Sequence, residues 1–180
     1  MQEPDDKVLV RRCREGDIKA FEVLLDRYQK PIYNVALRMV NNTDDAADLT
    51  QSVFVKAYEK LSSYNEHYKF FSWLYKIAVN TSLNFLEQKK RGDLLGDHDV
   101  PEETRVDEEF EAAERVEKLE DAILNLQLEY RVVIVLRHFH DLSYEEIGTI
   151  LEIPDKTVKS RLFTARQMLK DLLTKSGLME

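Results

Sequence analysis

The sequence predicts an all-α protein made of two small helical domains joined by an acidic flexible linker. Three observations carry that expectation. The 180 residues include only five Gly and four Pro, too few for a fold rich in turns. Leu, Ile, Val and Ala recur at three- and four-residue steps over long stretches, the period of helices with one buried face. One run breaks the pattern: RGDLLGDHDVPEETRVDEE, Arg91 to Glu109, combines two Gly, one Pro and dense like charge, the composition of a solvated connector.

The linker is therefore placed at 92–109, between units 1–91 and 110–180, each within the small-domain range. In the first unit, helices are expected near 5–15, 17–29, 31–41, 44–61 and 69–91. Asp17 and Thr43 suit N-caps, Pro31 suits a first helical turn, and Gly92 suits a stop after EQKKR. In the second unit, helices are expected near 110–125, 127–140, 143–151 and 155–174. The short one opens SYEE, where Ser143 and Glu146 have capping-box spacing.

Composition excludes several classes. Hydrophobic residues make up 43% of the chain, enough for real cores, but no apolar run approaches the roughly 20 residues that span a bilayer. The amino terminus also lacks a signal-like apolar stretch, so no membrane insertion and a cytoplasmic location are expected. Cys13 is the single cysteine and cannot form an internal disulfide; nothing near it activates a thiolate. There is no Gly-rich phosphate loop and no nucleophile motif, so no catalytic residue or cofactor is assigned. His138 and His140 lie two apart on a helix and diverge, so no metal site is assigned either.

The net charge of −8 argues against nucleic acid as a partner, but the average misleads. Residues 92–114 hold ten acids and one Arg, a charge of −9, which leaves +1 for everything else.

Three constellations carry chemistry. The first is LSYEEIGTILEIPDKTVKSRLFTARQML, a short helix, a tight turn and a longer helix in helix-turn-helix spacing. Gly148 stands where the two helices cross, and Val158, Leu162, Ala165, Leu169 and Leu172 share one arc of the last helix. The opposite arc holds Lys156, Thr157, Lys159, Ser160, Phe163, Thr164 and Gln167, suited to base edges, with Arg161 and Arg166 at its margins suited to phosphates. An ordinary solvated helix face is the plainer alternative.

The second constellation is WLYKIAVNTSLNFLEQKKR. Leu74, Ile77, Ala78, Thr81 and Phe85 form its main inward face, which leaves one polar stripe of Trp73, Lys76, Asn80, Asn84, Glu87 and Arg91. An aromatic, amides and cations in line provide a stacking surface, edge partners and phosphate neutralisation for an unstacked strand. The preceding loop adds Tyr64, Tyr68, Phe70 and Phe71; these aromatics could equally close a small bundle. The third is DDAADLTQSVFVKAYEKL, where Leu49, Val53 and Ala57 face inward and Asp45, Asp48, Gln51, Ser52 and Lys56 are left outside. Its acids are also what a helix N-terminus favours on dipole grounds alone.

Taken in order, FEVLLDRYQKPIYNVALRMV, DDAADLTQSVFVKAYEKL, FFSWLYKIAVNTSLNFLEQKKR and the helix-turn-helix segment resemble the bacterial RNA polymerase sigma factors of the small, two-domain extracytoplasmic-function group. The resemblance spans nearly the whole chain. It implies a promoter-specificity factor, not an enzyme, whose partners are core RNA polymerase, promoter DNA and an anti-sigma factor. It implies that Asp45, Asp48, Gln51 and Ser52 contact the polymerase clamp. Tyr64, Phe70, Trp73, Lys76, Asn80, Asn84 and Arg91 would bind and melt the minus-ten element, and the helix-turn-helix would read the minus-thirty-five element. The sequence departs from the family at Glu152, where Gly is frequent, at Lys156, where a small residue is frequent, and at Thr164, where Arg is common. A stand-alone helix-turn-helix repressor or activator is the rival reading; an apolar pocket in the first unit would favour it. A helical adaptor that binds only protein is a third, and it would show no salt-dependent DNA affinity.

Overall fold

A computed structural model describes residues 4–93 and 110–178. Among them are eight α-helices and no strand: α1 (Asp6–Arg14), α2 (Ile18–Val40), α3 (Thr43–Lys60), α4 (Phe70–Asp93), α5 (Phe110–Leu124), α6 (Leu128–Ile134), α7 (Tyr144–Leu151) and α8 (Asp155–Lys175). The fold is all-α in two helical regions, as the sequence predicts. Most of the expected linker lies outside the described residues.

Local chemistry explains most of the boundaries. The Asp17 carboxylate accepts the Ala20 N–H at 3.3 Å to cap α2. Ser143 and Glu146 form the reciprocal capping box at the start of α7, with bonds of 2.9 and 3.2 Å. A carboxylate or hydroxyl at these points satisfies N–H groups that the first turn leaves without partners.

Four boundaries differ from expectation. Pro31 does not start a helix but sits inside α2. The helix continues because Ile32, Val35 and Met39 extend the buried face begun by Ala20 and Leu24, and that packing outweighs the missing N–H. Asn42, not Thr43, caps α3, its Oδ1 accepting from Asp45 N at 2.9 Å. Asn41 takes the left-handed turn before it, with φ 53°. Gly92 lies within the last turn of α4 rather than ending it. Finally, the helix expected at 127–140 is α-helical only to Ile134 and becomes a π-helical turn over Val135–Phe139.

α1 to α4 pack as a bundle around Leu9, Leu24, Ile32, Met39, Val53 and Leu74, and α5 to α8 enclose Ile134, Leu136, Ile147, Val158 and Leu162. The two regions also meet, and most of their buried residues form one continuous apolar cluster, with Ala36, Ala46 and Leu49 in a smaller one between α2 and α3. Polar groups fasten the meeting. Arg131 donates to the Met39 carbonyl at 2.8 Å and to the carbonyls of Leu124 and Leu126. The Tyr75 hydroxyl lies 3.1 Å from His140 Nδ1, and the Arg38 guanidinium stands 4.0 Å from the centre of the Phe139 ring.

Candidate nucleic-acid interface

The helix-turn-helix is set by one close approach. A Cβ on Gly148 would lie 2.8 Å from the Ile153 carbonyl oxygen and 2.9 Å from an Asp155 carboxylate oxygen, so only glycine lets α7 cross the start of α8 this tightly. The turn between them runs through Glu152 in the left-handed conformation, φ 56°. A residue with a side chain therefore occupies a position that glycine would fill without strain.

α8 buries Val158, Leu162 and Ala165 and turns the opposite arc outward. Lys156, Lys159, Ser160, Phe163, Arg166 and Gln167 are exposed, Phe163 to 67%, while Thr157, Arg161 and Thr164 are half-buried at the margins. Arg161 pairs with Glu129 at 3.0 Å. Arg166 approaches His138 Nε2 at 3.4 Å, and burial, then Arg166 and Arg137, lower the His138 pKa. The Ser160 hydroxyl donates to the Thr157 carbonyl at 3.0 Å.

On α4 the outcome is mixed. Asn80, Asn84, Glu87 and Arg91 are exposed, but Trp73 and Lys76 are half-buried. Trp73 packs at 5.3 Å from Tyr64 and 5.6 Å from Phe70. Tyr64 and Phe70 correct the expectation: each is only 3% exposed, so neither ring offers a face to a base. They close the bundle, because burying an aromatic ring among other rings stabilises more than leaving it at a loop tip. The loop instead exposes Asn65, His67, Tyr68 and Lys69.

The second region covers the first turns of α4. Lys76 Nζ meets Glu152 Oε1 at 2.7 Å, and Lys69 Nζ meets Glu146 Oε1 at 2.7 Å. Beneath these pairs His140 is pressed against Tyr75. Burial, then repulsion from Arg38, lower its pKa to about 4, and burial pushes Tyr75 up to about 12. The His140 Nε2 atom is buried without a hydrogen-bond partner.

α3 exposes Asp48, Gln51 and Ser52, with Asp45 half-buried and bonded to Lys89 at 3.1 Å. Lys56, expected outside, turns to the Thr81 hydroxyl at 3.2 Å. Beside this face the structure holds what sequence reasoning missed, an apolar groove of about 650 Å³ between α2 and α3, lined by Phe21, Leu25, Gln51, Phe54, Val55 and Tyr58 among others. Its signal was present in the exposed pair Val55 and Tyr58, 57% and 51% accessible, on the outer side of α3. It lies open along the surface, a shape suited to a helix rather than to an enclosed metabolite. Among the described residues no cluster of His, Cys, Asp or Glu could hold a metal ion, and no helix is long and apolar enough to cross a membrane.

An open helix-turn-helix arc, a polar stripe on a second helix and an apolar groove beside a third are surfaces that suit a DNA-binding protein with a protein partner. Comparison with known proteins makes the class specific. The family model described as "Sigma-70 region 2" matches residues 24–92, and that described as "Sigma-70, region 4" matches residues 116–169. The chain is 36% identical to the ECF RNA polymerase sigma-E factor of Haemophilus influenzae, over 92% of this chain and 94% of that one. It is 37% identical to the protein of the same name in Escherichia coli K12, over 91% and 92%. The fold matches CnrH in its complex with the cytosolic domain of CnrY, with TM-score 0.74, 23% identity and coverage of 94% and 97%. It also matches the sigma factor RpoE of Bartonella quintana bound to the anti-sigma factor NepR, with TM-score 0.72, 24% identity and coverage of 87% and 98%. The chain belongs to the extracytoplasmic-function (ECF) group of the sigma-70 family of RNA polymerase sigma factors, a family of transcription initiation factors. The stand-alone repressor reading, which an apolar pocket would have favoured, gives way to this.

Proposed function

We propose a division of labour along the chain. Residues 1–91 dock on core RNA polymerase and engage the minus-ten element, 92–109 act as a tether, and 110–180 read the minus-thirty-five element. The observation that supports it is the pairing of two exposed polar faces, the α8 arc and the outer half of α4, on the two matched regions of one chain. Asn80, Asn84 and Arg91 stand in line to meet an unstacked strand, with Lys76 reached once Glu152 is removed from it. Gln51 lines the apolar groove, and with Asp48 and Ser52, exposed on the same helix, it contacts polymerase. The chain has no chemistry of its own; binding free energy does the work, in the cytoplasm where polymerase acts. An anti-sigma factor is a further expected partner, in line with the complexes in which CnrH and RpoE were solved.

Geometry adds a requirement to this reading. The two promoter elements are about 25 base pairs apart, or about 85 Å at 3.4 Å per step. With Lys76 and Glu152 in contact at 2.7 Å, α4 and the helix-turn-helix cannot reach both. The regions must part on the promoter, and the sixteen residues between α4 and α5, 94–109, can span up to about 55 Å, enough when the width of each domain is added. The α2–α3 groove stays open while the regions are closed, so docking on polymerase does not require the DNA-reading faces to separate first.

The test is transcription by purified core polymerase with this protein on a randomised promoter library, with start sites mapped. Initiation from one two-part motif is expected, and no initiation above core polymerase alone would refute the reading. In the same system Asp48→Lys should weaken assembly with core polymerase while moving stability by no more than about 0.5 kcal/mol.

A further inference from the structure

The loop between α3 and α4 is held by residues far away in sequence. Arg14, in the last turn of α1, reaches across to the end of α3. Its Nε and Nη2 donate to the Leu61 carbonyl at 3.2 and 3.0 Å. Nη2 also donates to the Tyr64 carbonyl at 2.5 Å and reaches the Ser62 carbonyl at 3.5 Å. Nη1 meets Glu66 Oε1 at 3.2 Å. From one turn earlier, Arg11 grips the other Glu66 oxygen, with Nε at 3.0 Å and Nη2 at 2.7 Å. The carbonyls at a helix C-terminus lack intrahelical partners and carry the negative end of the helix dipole. A guanidinium, with five donors in a rigid fork, can satisfy several of them and a carboxylate at once.

Inside the loop the remaining groups are also tied. The Tyr64 hydroxyl donates to the Tyr68 carbonyl at 2.6 Å, the His67 N–H to Asn65 Oδ1 at 3.0 Å, and the Tyr68 N–H to the Asn65 carbonyl at 3.1 Å. Tyr64 and Phe70 anchor the two ends in the core, 5.5 Å apart. These bonds fix the inner side of the loop, while Asn65, His67 and Tyr68 are exposed, Tyr68 to 56%. That is a preorganised tip, and a tip held in one shape discriminates between bases better than one that must be ordered on binding.

We propose that Arg14, assisted by Arg11 through Glu66, is a positioning residue for base selection at the minus-ten element, setting the shape of a tip formed by Asn65, His67 and Tyr68. This rests on the reading that the loop and α4 engage that element. Arg14 itself need not touch DNA; its side chain is 30% exposed and spent on the loop. The proposal explains why α1, which carries none of the candidate contacts, is fastened to the loop by two arginines.

The experiment uses full-length variants assembled with core polymerase on a promoter library randomised at the minus-ten element. Arg14→Ala should flatten base preference there by about tenfold, the scale of losing a charge-assisted hydrogen-bond set, and should leave the minus-thirty-five preference intact. Arg14→Lys, with one ammonium in place of the fork, should recover part of that preference. If Arg14→Ala does not fold, Glu66→Gln, which weakens the ion pairs and keeps the loop backbone, should show the same flattening to a smaller degree. A uniform loss of activity with an unchanged motif, in proportion to the folded fraction, would reduce Arg14 to a purely structural role and overturn the proposal. The double variant His67→Ala and Tyr68→Ala tests the underlying reading separately. If it recovers the parental motif, the loop is not the reader, and the failure lies there rather than with the clamp.

Discussion

α4 and α8 are both long amphipathic helices with a polar line opposite an apolar seam, yet among the described residues the polar line of α8 is engaged only at its margins and only by its own region, whereas that of α4 is met by the other region. α8 rests on α5, α6 and α7 from one side, whereas α4 is flanked by α2 and α3 and is then met by α7 at its first turns. The polar line of α4 therefore changes character along its length: Lys76 is half-buried against Glu152 of the other region and Trp73 against Tyr64 and Phe70 of its own, while Asn80, Asn84 and Arg91 are exposed. Helical periodicity determines which side chains share a face. How many faces are covered is decided by neighbours, here from the far end of the chain.

The comparison breaks most severely at the seam that supports α8. Leu162 is fully buried, and Leu162→Ala should cost about 2–5 kcal/mol, the range for a large-to-small change in a packed core. Asn84→Ala on the open part of α4 should stay within about 0.5 kcal/mol. Urea melts of both variants provide the check. A cost below 1 kcal/mol for Leu162 would mean that the α8 arc is not held by this core.

Acid should act next, at the covered end of α4. His140 is neutral against Tyr75, its pKa lowered to about 4 by burial and then by Arg38, against about 6.5 in an unfolded chain. Above pH 6.5 both states are neutral and the full stability is present. Between pH 6.5 and 4 the unfolded chain takes up a proton that the folded one refuses, so stability falls as pH falls, by up to about 3 kcal/mol. His138, also lowered, contributes with the same sign. His140→Phe should therefore lose less stability than the parent between pH 7 and 4.5. Parallel curves for the two proteins would show that the site is wet and that the regions are not closed over α4.

At the open helix the effects are smaller and divide by role. Lys159→Ala, in the centre of the α8 arc, should relax base preference at the minus-thirty-five element by about 1–3 kcal/mol. Arg166→Ala, at the margin, should weaken all sequences about equally and reduce the salt slope by roughly one unit. Selection from randomised upstream sequences separates them; an unchanged motif for Lys159→Ala would move the reading elsewhere.

Where local structure follows from spacing, the sequence is readable. Ser143 and Glu146 announce a capping box, Gly148 marks a close crossing, and the α8 arc follows from the seam at Val158, Leu162 and Ala165. Pro31 was misread because propensity is local, while the packing of Ile32, Val35 and Met39 that carries α2 through it is not. Tyr64 and Phe70 were misread because an aromatic at a loop suits a base or a core equally well until its neighbours are known. The Arg14 clamp gave no signal at all, since its partners are mostly backbone carbonyls and no sequence pattern marks those. The groove beside α3 was half-visible in Val55 and Tyr58, but a groove needs two helices, and their pairing is tertiary.

The smallest effect tests the difference between the two helices most directly. Lys76 is what α8 has no counterpart for: a candidate DNA contact neutralised by the other region, through Glu152 at 2.7 Å. The pair is partly exposed, 36% for Lys76 and 70% for Glu152, so its coupling should be only about 0.2–1 kcal/mol and should shrink in high salt. Glu152→Gln is the cleaner probe, because Glu152→Gly would also relieve the left-handed backbone at φ 56° and mix two effects. With the pair broken, amide exchange over the first turns of α4 and over α7 should speed up by as much as about fivefold at low salt, since 1 kcal/mol is roughly that factor in an opening equilibrium. Exchange in the middle of α8 should not change. Reversing the pair, with Lys76→Glu and Glu152→Lys together, should restore slow exchange. If the reversed pair exchanges as fast as either single variant, this ion pair does not hold the regions together, and the covering of α4 rests on the Lys69–Glu146 pair, Arg131, His140, the Arg38–Phe139 contact and the apolar packing.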